Sequence, residues 1–202
     1  GSFVVIVSVA GAILFLGGLN QRVFLALIAV LIAGFAALIV FSPYRMARLT
    51  SFLNPFADPL GSGYQLSHAL IAFGRGEWFG AGLGGSIEKL FYLPEAHTDF
   101  IASVVAEEFG FAGIVLLLAA FAALIVKAFL IARHAARLER HFAALVAAGV
   151  GTWLGLQAFI NLGVNTALLP TKGLTPPFMS FGGSGVIANC LGVALRLRIA
   201  WE

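Results

Sequence analysis

The chain has 202 residues, of which 60% are hydrophobic and only 10% charged, with a mean hydropathy of +1.00. Soluble domains carry about 25% charged residues, so this composition excludes one and predicts a polytopic membrane protein. A formal net charge of +3 is what basic cytoplasmic loops give such a protein, and no basic patch interleaved with aromatics points to nucleic acid. The single cysteine, Cys190, lies in an apolar run, which leaves no internal disulfide and no cysteine metal cluster.

Apolar runs at about 3–17, 22–42, 101–132, 142–163 and 184–200 predict an all-α protein with five transmembrane helices. The first run, Phe3 to Leu16, lacks a basic leader and an A-x-A-like site, so it is not read as a signal peptide. Being shorter than the roughly 20 residues of a full span, it reads as a helix entered part-way along. A hinge at Gly17-Gly18-Leu19-Asn20-Gln21-Arg22 leads into the second run. Pro43 ends that run because it cannot continue the helical hydrogen-bond ladder. Residues 43–100 form a long loop rich in Gly, Pro and polar groups. Its Phe52, Phe56, Tyr64, Phe73, Trp78, Phe79, Phe91 and Tyr92 argue for order and function rather than disorder.

Lys127, Arg133, His134, Arg137, Arg140 and His141 crowd the link between the third and fourth runs, and Arg196 and Arg198 close the fifth. The positive-inside rule puts those ends in the cytoplasm. The loops 43–100 and 164–183 then share the outer face, which brings Asp99 and Lys172 to one surface. The third run would extend about 48 Å as one helix, well beyond a hydrocarbon core of about 30 Å. Its first turns, with Asp99, Glu107 and Glu108, are expected at the outer interface, because a carboxylate at mid-bilayer costs about 2.5–3.5 kcal/mol or more.

The stretch Leu93-Pro94-Glu95-Ala96-His97-Thr98-Asp99-Phe100 stands at the mouth of that run. Thr98 or Asp99 can cap the helix there, accepting backbone N–H bonds that lack an intrahelical partner. Asp99 can equally be a general base, its pKa raised by apolar surroundings and lowered by the helix N-terminus; both roles can coexist at one residue. On a continuous helix Glu107 lies about 80° round and about 12 Å along from Asp99. It is therefore either its companion in a shared cavity or an interface carboxylate paired with a loop base.

Gly80-Ala81-Gly82-Leu83-Gly84-Gly85 matches G-x-G-x-x-G, but an outer loop offers no βαβ unit, so these glycines are read as tight turns and close backbone packing. Arg75 and Lys89 suit phosphate or lipid headgroups, with Glu77, Glu88 and Glu95 able to neutralise them. Gln157, Asn161 and Asn165 recur every four residues on one helix face, which interhelical hydrogen bonding explains. Leu169 to Pro177, followed by Ser180 to Gly185, reads as a rigid re-entrant turn or cap leading into a helix start. Its glycines expose backbone N–H groups and Lys172 adds a point charge, so an anion site is the second reading.

Taken together, Asn54-Pro55, Asp58-Pro59, Gly61-Ser62-Gly63-Tyr64-Gln65, Ala72-Phe73-Gly74-Arg75-Gly76, Pro94 to Phe100, Ala106-Glu107-Glu108-Phe109-Gly110, Leu169 to Thr175 and Ser180 to Ser184 resemble the SEDS family. These are the shape, elongation, division and sporulation proteins of bacterial cell-wall synthesis. The likeness spans nearly the whole chain, and Lys172 within Pro-Thr-Lys-Gly-Leu-Thr is closer to the division branch than to the elongation branch. The resemblance implies the C-terminal five of ten transmembrane helices, with a large extracytoplasmic loop. It implies a peptidoglycan glycosyltransferase that polymerises lipid II and releases undecaprenyl pyrophosphate, in the bacterial inner membrane at the division septum. Asp99 would be the catalytic base, and Arg75, His97, Lys172, Ser180, Ser184 and Glu107 would bind substrate. No cofactor is required, though a divalent cation, magnesium or manganese, fits the chemistry. The implied partners are an FtsI-like class B penicillin-binding protein transpeptidase and other divisome membrane proteins. Three other functions remain open: a polymerase of the elongation branch, a lipid II flippase, which would place polar groups near the bilayer midplane, and a scaffold in which Asp99 is dispensable.

Overall fold

The computed structural model describes residues 2–42, 46, 52–58, 61, 63–90, 92–171 and 173–201. Pro43, Pro59, Ser62, Phe91 and Lys172, all singled out by the sequence, lie outside these residues. The regular structure among the described residues is helical: α1 (Ser2–Leu16), α2 (Gln21–Val40), α3 (Tyr64–Gly76), α4 (Ile101–Arg137), α5 (His141–Asn165) and α6 (Gly183–Trp201). Helices α2, α4, α5 and α6 are long and apolar enough to cross a membrane, and α1 is a shorter apolar helix. The chain is thus an all-helical, multi-pass membrane protein. Asn20 caps α2, its Oδ1 accepting from the Arg22 N–H at 3.0 Å.

Helices α4 and α5 form an antiparallel hairpin through small residues. Ala128, Ala132 and Ala135 of α4 and Ala147, Ala148 and Gly151 of α5 are buried, and a Cβ added to Gly151 would stand 2.8 Å from that of Ala128. Lipid gives helices no hydrophobic drive to associate, so close backbone approach supplies the packing. Arg196, counted by the sequence among the basic residues of the cytoplasmic end, instead turns inward: it is 4% exposed and its Nη1 donates to the Leu124 carbonyl of α4 at 2.8 Å.

Helix α3 lies inside the long outer loop, where the sequence predicts no element. Its signal is the spacing of Leu66, Ala69, Ala72 and Gly76, which gives one buried stripe. A further difference is that the third run is not one straight helix. Gly110 adopts φ 66°, ψ −162° and breaks α4 into two pieces. The orphaned ladder groups find partners in residues 77–82: Phe111 N–H donates to Glu77 O at 2.8 Å and Ala112 N–H to Trp78 O at 3.1 Å. In return Ala81 N–H donates to Glu107 O at 2.9 Å and Gly82 N–H to Glu108 O at 3.1 Å. Unpaired backbone groups are costly at membrane depth, so the splice makes the break tolerable. Gly80, with φ +80°, comes so close that a Cβ would overlap the Glu108 carbonyl, and Gly85 packs on the Ala81 carbonyl, whereas Gly82 and Gly84 face open space and serve turns with φ of +93° and +84°. The second piece, from Phe111 to Arg137, extends about 40 Å and remains the spanning part.

A core of Val5, Ala69, Leu93, Ala96, Phe100, Ile160, Val164 and Leu174 gathers α1, α3, the turn before α4, α5 and the loop after α5. The turn bearing Asp99 is therefore seated on packed side chains.

Candidate functional site

Leu93, Ala96 and Phe100 are 3–4% exposed and pin the turn by its apolar side. Glu95, at φ 58°, reverses the chain, and its carbonyl accepts from Thr98 N–H at 3.1 Å and Phe100 N–H at 3.2 Å. Pro94, Glu95 and His97 are left exposed and Thr98 and Asp99 half-buried.

The capping expected of Thr98 or Asp99 is not found. Phe100 is the N-cap position and makes no side-chain cap bond. The Thr98 hydroxyl donates to Glu95 instead, to its carbonyl at 3.2 Å and to Oε2 at 2.5 Å. The first turn of α4 is capped from a neighbouring helix: Asn165 Oδ1 of α5 accepts from Ser103 N–H at 3.2 Å and from Ser103 Oγ at 2.7 Å. Asn165 Nδ2 and Asn161 Nδ2 both donate to the Asp99 carbonyl, at 3.0 and 2.7 Å. Asn161 Nδ2 also reaches the Leu174 carbonyl at 2.8 Å. Of the three amides spaced along α5, Gln157 leaves its Oε1 without a hydrogen-bond partner, whereas Asn165 bonds across to α4 and Asn161 to the turn and loop beside it. What the spacing could not show is that the two asparagines converge on the backbone of Asp99.

The Asp99 carboxylate thus stands clear of the helix ladder. Burial first, and the charge of Glu95 second, raise its pKa above the ordinary aspartate value. Gly173 of the loop after α5 lies against it, a Cβ there falling 3.2 Å from Asp99 Oδ2. Phe181 N–H donates to the His97 carbonyl at 3.2 Å, so the two loops meet at this turn. Ser180 is 9% exposed and its Oγ has no hydrogen-bond partner, whereas Ser184 is exposed in the first turn of α6. Lys172 adjoins Gly173 in sequence but lies outside the described residues.

Glu107 and Arg75 belong to a separate cluster, so of the two readings of Glu107 the pairing with a loop base is found and the cavity shared with Asp99 is not. The helical-wheel estimate assumed that the helix includes Asp99; α4 begins at Ile101, and Asp99 belongs to the turn before it. Glu107 is 0% exposed, and its carboxylate accepts from Ser86 Oγ at 2.5 Å, Ile87 N–H at 3.0 Å and Glu88 N–H at 3.3 Å. Arg75 Nη1 stands 3.5 Å from Glu107 Oε1. Lys89 pairs with Glu108, and His68 Nδ1 lies 2.7 Å from Glu88 Oε2. Among the described residues Arg75 and Lys89 of the long loop therefore face carboxylates of α4, and Glu107 anchors residues 86–88 to α4. Among the described residues no three His, Cys, Asp or Glu side chains gather as a metal cage.

Comparison with known proteins extends over the whole chain. The family model described as cell cycle protein, that of FtsW, RodA and SpoVE, matches residues 1–202. The chain is 62% identical over 202 residues to "Probable peptidoglycan glycosyltransferase FtsW" of Aromatoleum aromaticum, covering 100% of this chain and 49% of that protein. It is 54% identical to the protein of the same name from Nitrosomonas europaea, covering 100% and 52%. A solved structure described as "Structural coordination of polymerization and crosslinking by a peptidoglycan synthase complex" superposes with a TM-score of 0.75 at 30% identity, covering 100% of this chain and 55% of that one. The chain spans about half the length of the relatives it matches.

Proposed function

The chain belongs to the cell cycle protein family of FtsW, RodA and SpoVE, and on that premise we propose that it is the C-terminal half of a peptidoglycan glycosyltransferase that polymerises lipid II during division. The observation that carries the reading is the state of Asp99: it is half-buried, it takes no part in capping α4, and it lies against the second outer loop. A hydroxyl nucleophile needs a base within hydrogen-bond reach, and a raised pKa makes that base stronger.

In the proposed step Asp99 accepts the proton of an acceptor sugar 4-hydroxyl. The hydroxyl oxygen forms the new bond to the anomeric carbon of the donor. The bond from that carbon to undecaprenyl pyrophosphate breaks, and the leaving group keeps the electron pair. Charge grows on the pyrophosphate, where Lys172 and the backbone N–H groups opening α6 at Ser184 would receive it. The unpaired Ser180 hydroxyl and exposed His97 are further substrate contacts in this scheme. Arg75 is 42% exposed at its side chain and can still turn to phosphate, with Glu107 as its resting partner. A magnesium or manganese ion would take its ligands from the phosphate oxygens and water and would neutralise charge on the pyrophosphate.

The relatives' printed names carry the glycosyltransferase activity, and the related structure is described as a complex of polymerization and crosslinking. They support a class B penicillin-binding protein partner of the FtsI kind and an inner-membrane site at the septum. The test is reconstitution of the full-length protein with that partner and labelled lipid II, scoring polymer and lipid translocation for native and Asp99→Asn protein. Loss of polymer with the fold intact is expected. Persistent polymerisation by the variant overturns the assignment of the base, and translocation without polymer from the native protein favours a flippase.

A further inference from the structure

We infer that Asn161 and Asn165 of α5 are positioning residues for Asp99: they hold its backbone and cap α4 in its stead, which leaves its carboxylate free for substrate. The inference rests on the reading of Asp99 as the base. An aspartate just before a helix ordinarily gives its carboxylate to the free N–H groups of the first turn. Here the Ser103 N–H is shared between the Phe100 carbonyl at 3.0 Å and Asn165 Oδ1 at 3.2 Å, and that amide oxygen also holds Ser103 Oγ at 2.7 Å. The two amides are 2% and 0% exposed and fully committed: Asn165 Nδ2 serves Asp99 O and Asn161 O, at 3.0 and 2.9 Å, and Asn161 Nδ2 serves Asp99 O and Leu174 O.

Leu174 follows Gly173, whose backbone lies against Asp99 Oδ2. One amide, that of Asn161, therefore sets the peptide carrying the carboxylate and the loop wall facing it. The charged and titratable groups around Asp99 are Glu95 and His97 of its own turn; α5 presents neutral amides and the second loop presents Gly173, with Lys172 outside the described residues.

The experiment measures kcat, KM for lipid II and the pH profile of polymerisation for the full-length protein with its transpeptidase partner. Asn165→Ala leaves the Ser103 N–H with its bond to the Phe100 carbonyl alone and takes the partner from Ser103 Oγ, and the Asp99 carboxylate turns to share these donors. A carboxylate that accepts a backbone N–H has a lower pKa. We expect kcat to fall about 100-fold, the cost of a misplaced group, with KM unchanged and the acid limb moved to lower pH. A general loosening of the fold would lower the amplitude and leave the limb in place. Asn161→Ala keeps the cap and loses the loop contact, so kcat falls at least about tenfold with KM and limb unchanged.

Asp99→Asn runs beside them. If it still polymerises, the base reading fails and takes this inference with it. If it is inactive while both asparagine variants keep native kcat and limb, the inference alone is overturned. Failure of both variants to fold makes the amides part of the fold alone and equally ends it.

Discussion

Gly80→Ala tests how the outer loop is joined to α4. At this position φ is +80°, and an added Cβ would overlap the Glu108 carbonyl and come within 2.6 Å of Phe109 N. Both neighbours are backbone and cannot rotate away. The loop must lift, and four bonds go with it: Phe111 N to Glu77 O, Ala112 N to Trp78 O, Ala81 N to Glu107 O and Gly82 N to Glu108 O. Each contributes about 1 kcal/mol, and the left-handed backbone adds about 1–2 kcal/mol of strain, so the substitution should cost about 5–6 kcal/mol. The control is Gly74→Ala, in helix α3 with no heavy atom within 4 Å of the new Cβ, which should stabilise by about 0.5–1 kcal/mol. Thermal unfolding in detergent, together with trypsin cleavage after Arg75 and Lys89, reads both changes. Equal unfolding temperatures for Gly80→Ala and native protein would refute the splice.

Other changes probe the two carboxylate clusters separately. Glu107→Gln puts an amide NH2 among the donors Ser86 Oγ, Ile87 N–H and Glu88 N–H and should cost about 2–3 kcal/mol of stability, measured as above. Glu95→Gln removes the charge that helps raise Asp99. A base works deprotonated, so activity rises with pH through its pKa. Lowering that pKa should move the acid limb of kcat/KM to lower pH, and an upward move contradicts the assignment. Gly173→Ala sets a methyl 3.2 Å from Asp99 Oδ2. It should lower kcat about tenfold by displacing the carboxylate while leaving the unfolding temperature unchanged.

The membrane helices are legible in the sequence because an apolar run of span length has few other uses. The break at Gly110 is hidden inside such a run: hydropathy stays high on both sides, and nothing local reveals that residues 77–82 lend their backbone to the ladder. Its trace is the glycine pair Gly76 and Gly80, spaced to lie under Ala106 and Glu108. The role of Asp99 divides the same way. Its place before a helix suits a cap as well as a base, and nothing local shows that the capping oxygen comes from Asn165, 66 residues later. For Glu107 the pairing with a loop base holds, while the cavity shared with Asp99 does not, because a helical wheel holds only within a helix and Asp99 lies in the turn before α4. Arg75 and Lys89 stand out as loop cations, yet which carboxylates they meet depends on how the loop folds back on α4.

The most direct test is the single-turnover rate of glycan formation by full-length Asp99→Asn protein with saturating lipid II and its partner, measured from pH 5 to pH 8. General-base catalysis contributes about 10²- to 10⁴-fold, so the rate should fall by that factor and lose its dependence on pH. The unfolding temperature should stay native, because the Asp99 carboxylate takes no part in capping α4. A native rate that keeps the native pH profile would contradict Asp99 as the base.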